Sequence, residues 1–357
     1  MALWCLQNLL TTFAAAGYRR DLPKPVNPRA EPNVAVVLPV RGAANLARHL
    51  ELLRAQEYGR YRIIASIEST SDPAFAVLSA ARSEPGPPLD LVIAGRAVGA
   101  GQKVWNQLAA LERLKPDDDI VAFIDADTLP TPLWLSRLVR ELVNAGRPVA
   151  TGYRWMTPAD DRWSSCCLAA ANDAIAALPR GVLPLTIVWG GSVAVKRETL
   201  GLKDFWRGAI SDDAQMAEAL REAKLLAYAP RHGLLLTPVS CCWREFFVFG
   251  VRQYRIIWIH NPKHWAIAVA CLWAPPLFLA LAAPSLMAGA AGAWAALALI
   301  VGLGESSAAV FAEASSGRYG RTLTGHAISG GGSLNAGSSR SGGLSTAFPP
   351  PRHRCRG

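Results

Sequence analysis

The chain has 357 residues and a formal charge of +10, from 37 lysines and arginines against 27 acids. Its hydrophobic content of 51% and mean hydropathy of +0.18 exceed what a soluble enzyme ordinarily carries and implicate a membrane. Seven cysteines with no CxxC spacing, four of them in the vicinal pairs Cys166 with Cys167 and Cys241 with Cys242, argue against a zinc site or a disulfide framework. Nothing resembles a nucleic-acid module, and the basic excess suits anionic lipid, a polyanionic nucleotide or a merely solvated surface.

Met1 to Tyr18 is uncharged, and Arg19 and Arg20 follow this run where a secretory signal would place its charge first. Residues 1–20 are therefore expected to form a marginal N-terminal membrane anchor. From residue 33 the pattern changes. Apolar runs alternate with helical periodicity: "NVAVVLPV" then "LARHLELLRAQ", "YRIIASI" then "PAFAVLSAAR", "LDLVIAG" then "VWNQLAALERL", "DIVAFID" then "LWLSRLVRELV". This alternation predicts βαβ crossovers and an α/β domain over residues 33–242 whose sheet is largely parallel. In such a sheet the strand ends "PVRG", "IEST" and "DAD" converge on one rim, where open α/β sheets bind ligands.

Asp125 and Asp127 stand one residue apart where the fourth strand ends. On a strand both would project from the same side, but at the turn into a loop they diverge enough for one to reach a ribose hydroxyl and the other a divalent cation. A hard cation with oxygen ligands bridges a diphosphate well. The competing reading is a solvated loop start leading into "TLPTP".

"VWGGSVAV" places Gly190 and Gly191 where a backbone must pass close to a ligand, or where a strand bends. "SDD" then precedes the helical run "AQMAEALREA", so a helix N-terminus is expected at Ser211 to Asp213. Ser211 or Asp212 suffices as the cap. A second carboxylate, Asp213, is left to face the cleft as a proton acceptor.

Residues 243–264 interleave aromatic residues with arginines, the composition of an amphipathic helix lying in the headgroup layer. Residues 265–304 then run without a charge, long enough for two membrane spans. Lys24, Lys263, His264, Arg318 and Arg321 flank the apolar regions, which by the positive-inside rule puts the α/β domain in the cytoplasm, at a bacterial inner membrane or its equivalent. Residues 322–357 are dominated by glycine, serine and proline and are expected to be a disordered tail.

Six ordered motifs carry a family likeness: "VVLPVRG" at 36–42, "IESTSDP" at 67–73, "GQKVWNQL" at 101–108, "DAD" at 125–127, "GGSVAVKRETL" at 190–200 and "SDDAQMA" at 211–217. By these the chain, over roughly residues 33–260 plus the membrane pair, resembles the family 2 glycosyltransferases of GT-A type, and within them the ceramide glucosyltransferase-like branch. The resemblance implies a nucleotide-diphospho-sugar transferase fold with a mixed, mostly parallel sheet. It also implies that Pro39, at the end of the first strand, helps cradle uracil and ribose, that Lys103, Asn106 and Asp125 lie at the nucleotide, and that Asp127 binds Mn2+ or Mg2+. Asp213 matches the family's catalytic base, with Asp212 where a glutamate is usual. Two departures stand out. Ser69 replaces the acid expected after Glu68, leaving Glu68 to contact ribose or uracil. "RQYRI" keeps Arg252 and Arg255, suited to neutralising a departing diphosphate, but places Ile256 where the family's membrane-proximal signature has tryptophan.

The resemblance thus implies an inverting transfer of a hexose from a nucleotide sugar, UDP-linked, to a lipid hydroxyl at the cytoplasmic membrane face. Transfer to a polyprenyl phosphate and a catalytically silent membrane scaffold of the same fold are the alternatives.

Overall fold

A computed structural model describes residues 31–270, apart from 145–147, 177–186, 199–200, 202–203, 205, 226 and 229–233, together with residues 273, 277 and 280. The chain divides into two units, Leu22–Ala268 and a second made of Met1–Asp21 with Val269–Gly357. Every described strand, and every described helix up to His260, belongs to the first unit. The expected N-terminal anchor and C-terminal tail, and nearly all of the expected membrane hairpin, lie outside the described residues. Among the described residues, no helix is long and apolar enough to cross a membrane.

The alternating strand and helix patterns fold as expected. Strands β1 (Val34–Pro39), β2 (Tyr61–Ile67), β3 (Leu89–Ile93) and β4 (Ile120–Ile124) are joined by helices α1 (Leu46–Arg54), α2 (Ala74–Ala81) and α3 (Gln102–Leu111), and α4 (Trp134–Asn144) follows β4. These strands pair in parallel in the order β3-β2-β1-β4. Beyond β4 the sheet becomes mixed: β7 (Ser192–Lys196) pairs antiparallel with β4 and with β5 (Val149–Thr151), and β8 (Ala227–Tyr228) lies parallel to β5.

Both faces of this seven-stranded sheet are covered, which is why its central strands read as unbroken apolar runs rather than alternating ones. The alternation survives in which core each side chain joins. Val34, Val36 and Leu38 pack with Leu46, Leu50 and Leu53 of α1, Leu78 of α2 and Trp134 and Leu138 of α4. Ala35 and Val37 point the other way, into a core with Val104 and Leu111 of α3 and with Met216 and Leu220 of α6 (Asp212–Glu222). Trp134 further donates its indole N–H to Ser192 Oγ at 2.9 Å, tying α4 to β7.

A second, two-stranded sheet pairs β6 (Tyr153–Pro158) with β9 (Leu234–Val239) in parallel. Its core joins Met156 and Val239 to Leu168 and Ala169 of α5 (Trp163–Ala176) and to Phe246 and Phe249 of α7 (Trp243–His260). The cysteine pairs meet here as packing residues: Ser164 Oγ donates to the Cys241 carbonyl at 2.6 Å, and the Cys241 N–H donates to Ser165 Oγ at 3.0 Å. Cys166, Cys167, Cys241 and Cys242 are free thiols.

Helix α7 is shorter than the sequence suggests. It stops at His260 instead of reaching 264, because the residue before a proline is driven out of helical geometry. Asn261, before Pro262, has φ −154° and ψ 80°, and a new helical run starts at 262 with the Asn261 side chain accepting the His264 N–H at 3.0 Å.

At the start of the interior strand β2, opposite the rim, Arg62 is buried between acids. Its Nε and Nη2 donate to Asp118 at 3.1 and 2.6 Å, its Nη1 to Asp90 at 2.7 Å, and Nη2 also to the Arg113 carbonyl at 2.7 Å. A forked guanidinium so matched tolerates burial only while its partner remains. Asp118→Ala should therefore destabilise the fold by about 3–5 kcal/mol, the cost of an orphaned buried charge. Urea unfolding of the two proteins measures this, and a loss below about 1 kcal/mol would show that Asp90 suffices alone.

Candidate active site

Parallel register brings the ends of β1, β2 and β4 to one rim: Pro39 lies opposite Ser66, and Val37 opposite Phe123. Because β7 runs antiparallel to β4, with Ile124 opposite Ser192, it is the start of β7 that reaches the same rim. This places "WGG" beside "DAD".

Strand β4 ends at Ile124, so both acids of the motif sit in the turn that comes after it. The turn is fixed from three sides. The Asp125 N–H donates to the Gly191 carbonyl at 3.2 Å, Thr128 Oγ1 donates to the Asp125 carbonyl at 2.7 Å, and His49 Nδ1 donates to the Thr128 carbonyl at 2.7 Å. Burial holds His49 below its ordinary pKa, so the ring stays neutral with its proton on Nδ1.

The two carboxylates diverge, as the sequence suggests. Asp125 turns inward and meets Lys103 Nζ at 2.7 Å. Lys103 stands in the first turn of α3 and also reaches Asp212 Oδ2, at 3.0 Å. One helical turn on, Gln107 donates to the same Asp212 oxygen at 2.9 Å, so two residues four apart on one face of α3 grip a single carboxylate. Trp206 Nε1 holds the Asp212 carbonyl at 3.0 Å.

The glycines explain how these groups fit. A Cβ at Gly190 would stand 2.2 Å from Asp212 Oδ2, and one at Gly191 would stand 2.7 Å from Asp125 Oδ2 and 2.2 Å from the Trp189 ring. The close approach expected here is thus to the inner acids. A Cβ at Gly101, just before α3, would lie 2.5 Å from the Ile210 carbonyl, so α3 is likewise pressed against the segment leading into α6.

Asp127 turns outward. Its carboxylate is 61% exposed and is met by Arg154 Nη2 at 3.1 and 3.4 Å. Arg154 projects from β6, approaches Asp125 Oδ2 at 3.9 Å and lies over the Trp189 ring, 5.4 Å from its centre. It is a site residue that sequence reasoning missed; the available signal was an arginine set between two aromatic residues in "TGYRWMTP".

The cap of α6 differs from expectation. Ser211 occupies the N-cap position but makes no side-chain bond to the helix backbone; its hydroxyl donates to Asp213 Oδ1 in a short bond, and the Ala214 N–H donates to the same oxygen at 2.7 Å. Asp212 is no cap, since its carboxylate belongs to Lys103 and Gln107.

Electrostatics separates the acids. Burial works to raise Asp212, but Lys103 and Gln107 outweigh it and hold the carboxyl below its ordinary value. Asp213 is pushed up by burial and by the charge of Asp212. Asp125 is also raised, by burial first, against the pull of Lys103. Lys103 is itself pushed up, because Asp212, Asp125 and Asp213 outweigh the cost of its burial.

The remaining candidates divide. Pro39 and Glu68 lie half-buried at the rim; the Glu68 carbonyl accepts the Gly95 N–H at 3.0 Å, and its carboxylate has no partner among the described residues. Asn106 is buried and turned inward, donating to the Ser66 carbonyl at 3.3 Å and accepting from Gln102 Nε2 at 2.8 Å. It braces α3 against the end of β2. Arg252 and Arg255 are exposed on α7 and form no ion pair with the acids among the described residues.

Among the described residues, no three His, Cys, Asp or Glu side chains converge into a ready-made metal cage. A hard cation needs none when one or two carboxylates hold it and phosphate oxygens complete its shell. The exposed, two-oxygen Asp127 fits that mode, with Asp125 behind it.

An acid-lined rim over a mostly parallel α/β sheet is the layout of a nucleotide-sugar glycosyltransferase. The profile of glycosyl transferase family 21 matches residues 2–317, and the chain belongs to that family. The likeness to glycosyltransferases read from the motifs is thereby supported at the level of reaction class, glycosyl transfer. Among solved structures, a mannosyltransferase from Pyrobaculum calidifontis in complex with GDP-mannose and Mn2+ shares the fold: it is 21% identical, with 87% of this chain and 94% of that one covered at a TM-score of 0.56. Glucosyl-3-phosphoglycerate synthase from Mycobacterium tuberculosis, in complex with Mn2+, UDP and glucosyl-3-phosphoglycerate, is 16% identical over 67% of this chain and 86% of that one, at a TM-score of 0.41. No curated protein sequence matches the chain.

Because Asp212 is gripped by two donors, a methyl group at position 190 has nowhere to push it. Gly190→Ala should cost about 1–3 kcal/mol in stability and abolish glycosyl transfer. Denaturant unfolding run beside an activity assay checks both, and a stable, active Gly190→Ala protein would contradict this geometry.

Proposed function

We propose that the chain is an inverting transferase that moves a hexose from a nucleoside-diphosphate sugar, UDP-linked, to a lipid hydroxyl at the cytoplasmic face of a membrane. The observation that carries this reading is the division of labour in the acidic cluster. Asp125 and Asp212 are neutralised from within by Lys103, whereas Asp127 is exposed, Asp213 is half-buried, and neither is paired with Lys103. Two carboxylates outside the lysine clamp match what the transfer requires, a seat for the donor's diphosphate and a base for the acceptor.

Asp213 is the base. Its raised proton affinity, produced by burial and by Asp212, makes it a better acceptor than an ordinary carboxylate. It takes the proton from the acceptor hydroxyl as that oxygen attacks the anomeric carbon, on the face opposite the diphosphate. Ser211 Oγ and the Ala214 N–H orient it through one oxygen, leaving the other for the hydroxyl. Pro39, Glu68 and Asp125 border the nucleotide pocket. Mn2+ or Mg2+ held by Asp127 with the diphosphate oxygens would supply charge neutralisation of the leaving group. Arg252 and Arg255 add to it if the end of α7 lies over the bound donor.

The lipid acceptor is supported by α7. Trp243, Phe247, Val251 and Trp258, spaced by four, four and seven residues, form one apolar face and are all half-exposed or more. Arg244, Arg252 and Arg255 flank it. Beside it, Val251, Tyr254, Arg255, Trp258 and Trp265 line an open hollow of about 380 Å³. A membrane surface suits this face, and the proposed organisation is an anchor at 1–20, a catalytic domain at 33–242, this interfacial helix and membrane spans within 265–304.

Asp213→Asn should bind UDP as tightly as the parent while losing about 100-fold or more in turnover. Since Asp213 acts only when deprotonated and its pKa is raised, turnover of the parent should fall as pH is lowered through that raised value. Binding by calorimetry and transfer from labelled nucleotide sugar to membrane lipid measure the two quantities. Near-normal transfer by Asp213→Asn would refute the assignment of the base.

A further inference from the structure

Arg154 has no part in the proposed transfer, yet it touches the carboxylate assigned to the cation. Its Nη2 meets both oxygens of Asp127, at 3.1 and 3.4 Å. We propose that Arg154 occupies the cation seat at Asp127 until a diphosphate arrives, so that divalent cation and nucleotide bind as a pair and the cation alone binds poorly. The inference rests on the reading that Asp127 holds a divalent cation with the donor.

The geometry favours a side chain built to move over one that is locked. Its backbone is fixed: Arg154 lies in β6 opposite Leu235, and Asn172 Nδ2 donates to its carbonyl at 2.9 Å. Its guanidinium rests on Trp189, a flat surface along which it can slide. Its hydrogen bonding is incomplete, because Nε is buried without an acceptor. The pair with Asp127 is weak, since that carboxylate is 61% exposed and water competes for it. Lys103 is different: it bridges two buried carboxylates at 2.7 and 3.0 Å and stays.

A divalent cation arriving alone must displace Arg154 and then sit beside its positive charge, with nothing to hold the guanidinium elsewhere. A diphosphate changes both terms. Its oxygens complete the cation's shell, and they give the released guanidinium fork acceptors to which it is geometrically matched. Arg154 thereby couples the two ligands, and the coupling is the same from either side. It also disfavours occupancy of the rim by a cation in the absence of donor.

The test measures Mn2+ binding to the full chain in detergent micelles, by electron paramagnetic resonance and calorimetry, with and without UDP. In the parent, UDP should strengthen Mn2+ binding markedly. In Arg154→Met, Mn2+ alone should bind about tenfold more tightly than to the parent, and the strengthening by UDP should shrink. Damage to the site would lower Mn2+ affinity, so a gain separates this role from a structural one. Arg154→Gln, which keeps polarity without the charge, should show the same gain, and Arg154→Lys, which keeps the charge, should not. Unchanged or weaker Mn2+ binding in both neutral variants, with parental binding intact, overturns the role of Arg154 alone. Absence of Mn2+ binding by the parent even with UDP, or binding indifferent to Asp127→Asn, overturns the metal reading of the site and this inference with it.

Discussion

The ammonium of Lys103 is the group on which the site depends. It lies between Asp125, at the end of β4, and Asp212, at the start of α6, and it is carried by the first turn of α3. Two carboxylates brought this close inside a protein repel each other and lose their hydration, so one would have to be protonated or expelled without an internal cation. One lysine removes both problems and pins three separate segments together. Gln107 supplies the remaining donor to Asp212, and Gly190 and Gly191 supply the room.

From that clamp follows the division of the four acids. Asp125 and Asp212 share the positive charge of Lys103, Asp127 is exposed and met by Arg154, and Asp213 is held by Ser211 and the Ala214 N–H. Asp213 has its affinity for a proton raised by burial first and then by the negative charge of Asp212, its neighbour in sequence. The same acid that anchors the helix start thereby tunes the acid beside it. On the other side, Arg154 and Trp189 connect the small sheet to Asp127, so that the main sheet and the β6–β9 layer each contribute to the rim.

Much of this was legible in the chain. Eight alternating segments announced β1 to β4 and α1 to α4, because strands covered on both faces must be apolar throughout and amphipathic helices must cover them. The convergence of "PVRG", "IEST" and "DAD" followed from parallel register. The chain could not announce that β7 enters antiparallel, which is what carries the paired glycines to the acids. Nor could it show that Asn106, one turn beyond Lys103 on the same helix, turns inward to the Ser66 carbonyl while Lys103 faces the acids.

Local chemistry thus determined the elements, the rim and the list of acids, since periodicity, proline and glycine act over a few residues and read directly from the sequence. Which acid does what was decided only in three dimensions. Asp212 looked like a helix cap and is a buried anion, Arg154 was not among the candidate residues and meets Asp127, and the glycines, read as a ligand approach or a bend, make room for carboxylates. A carboxylate's role is set by the charges and donors within a few ångströms of it. Those arrive from α3, β6 and β7, segments distant in the chain, and only folding brings them together.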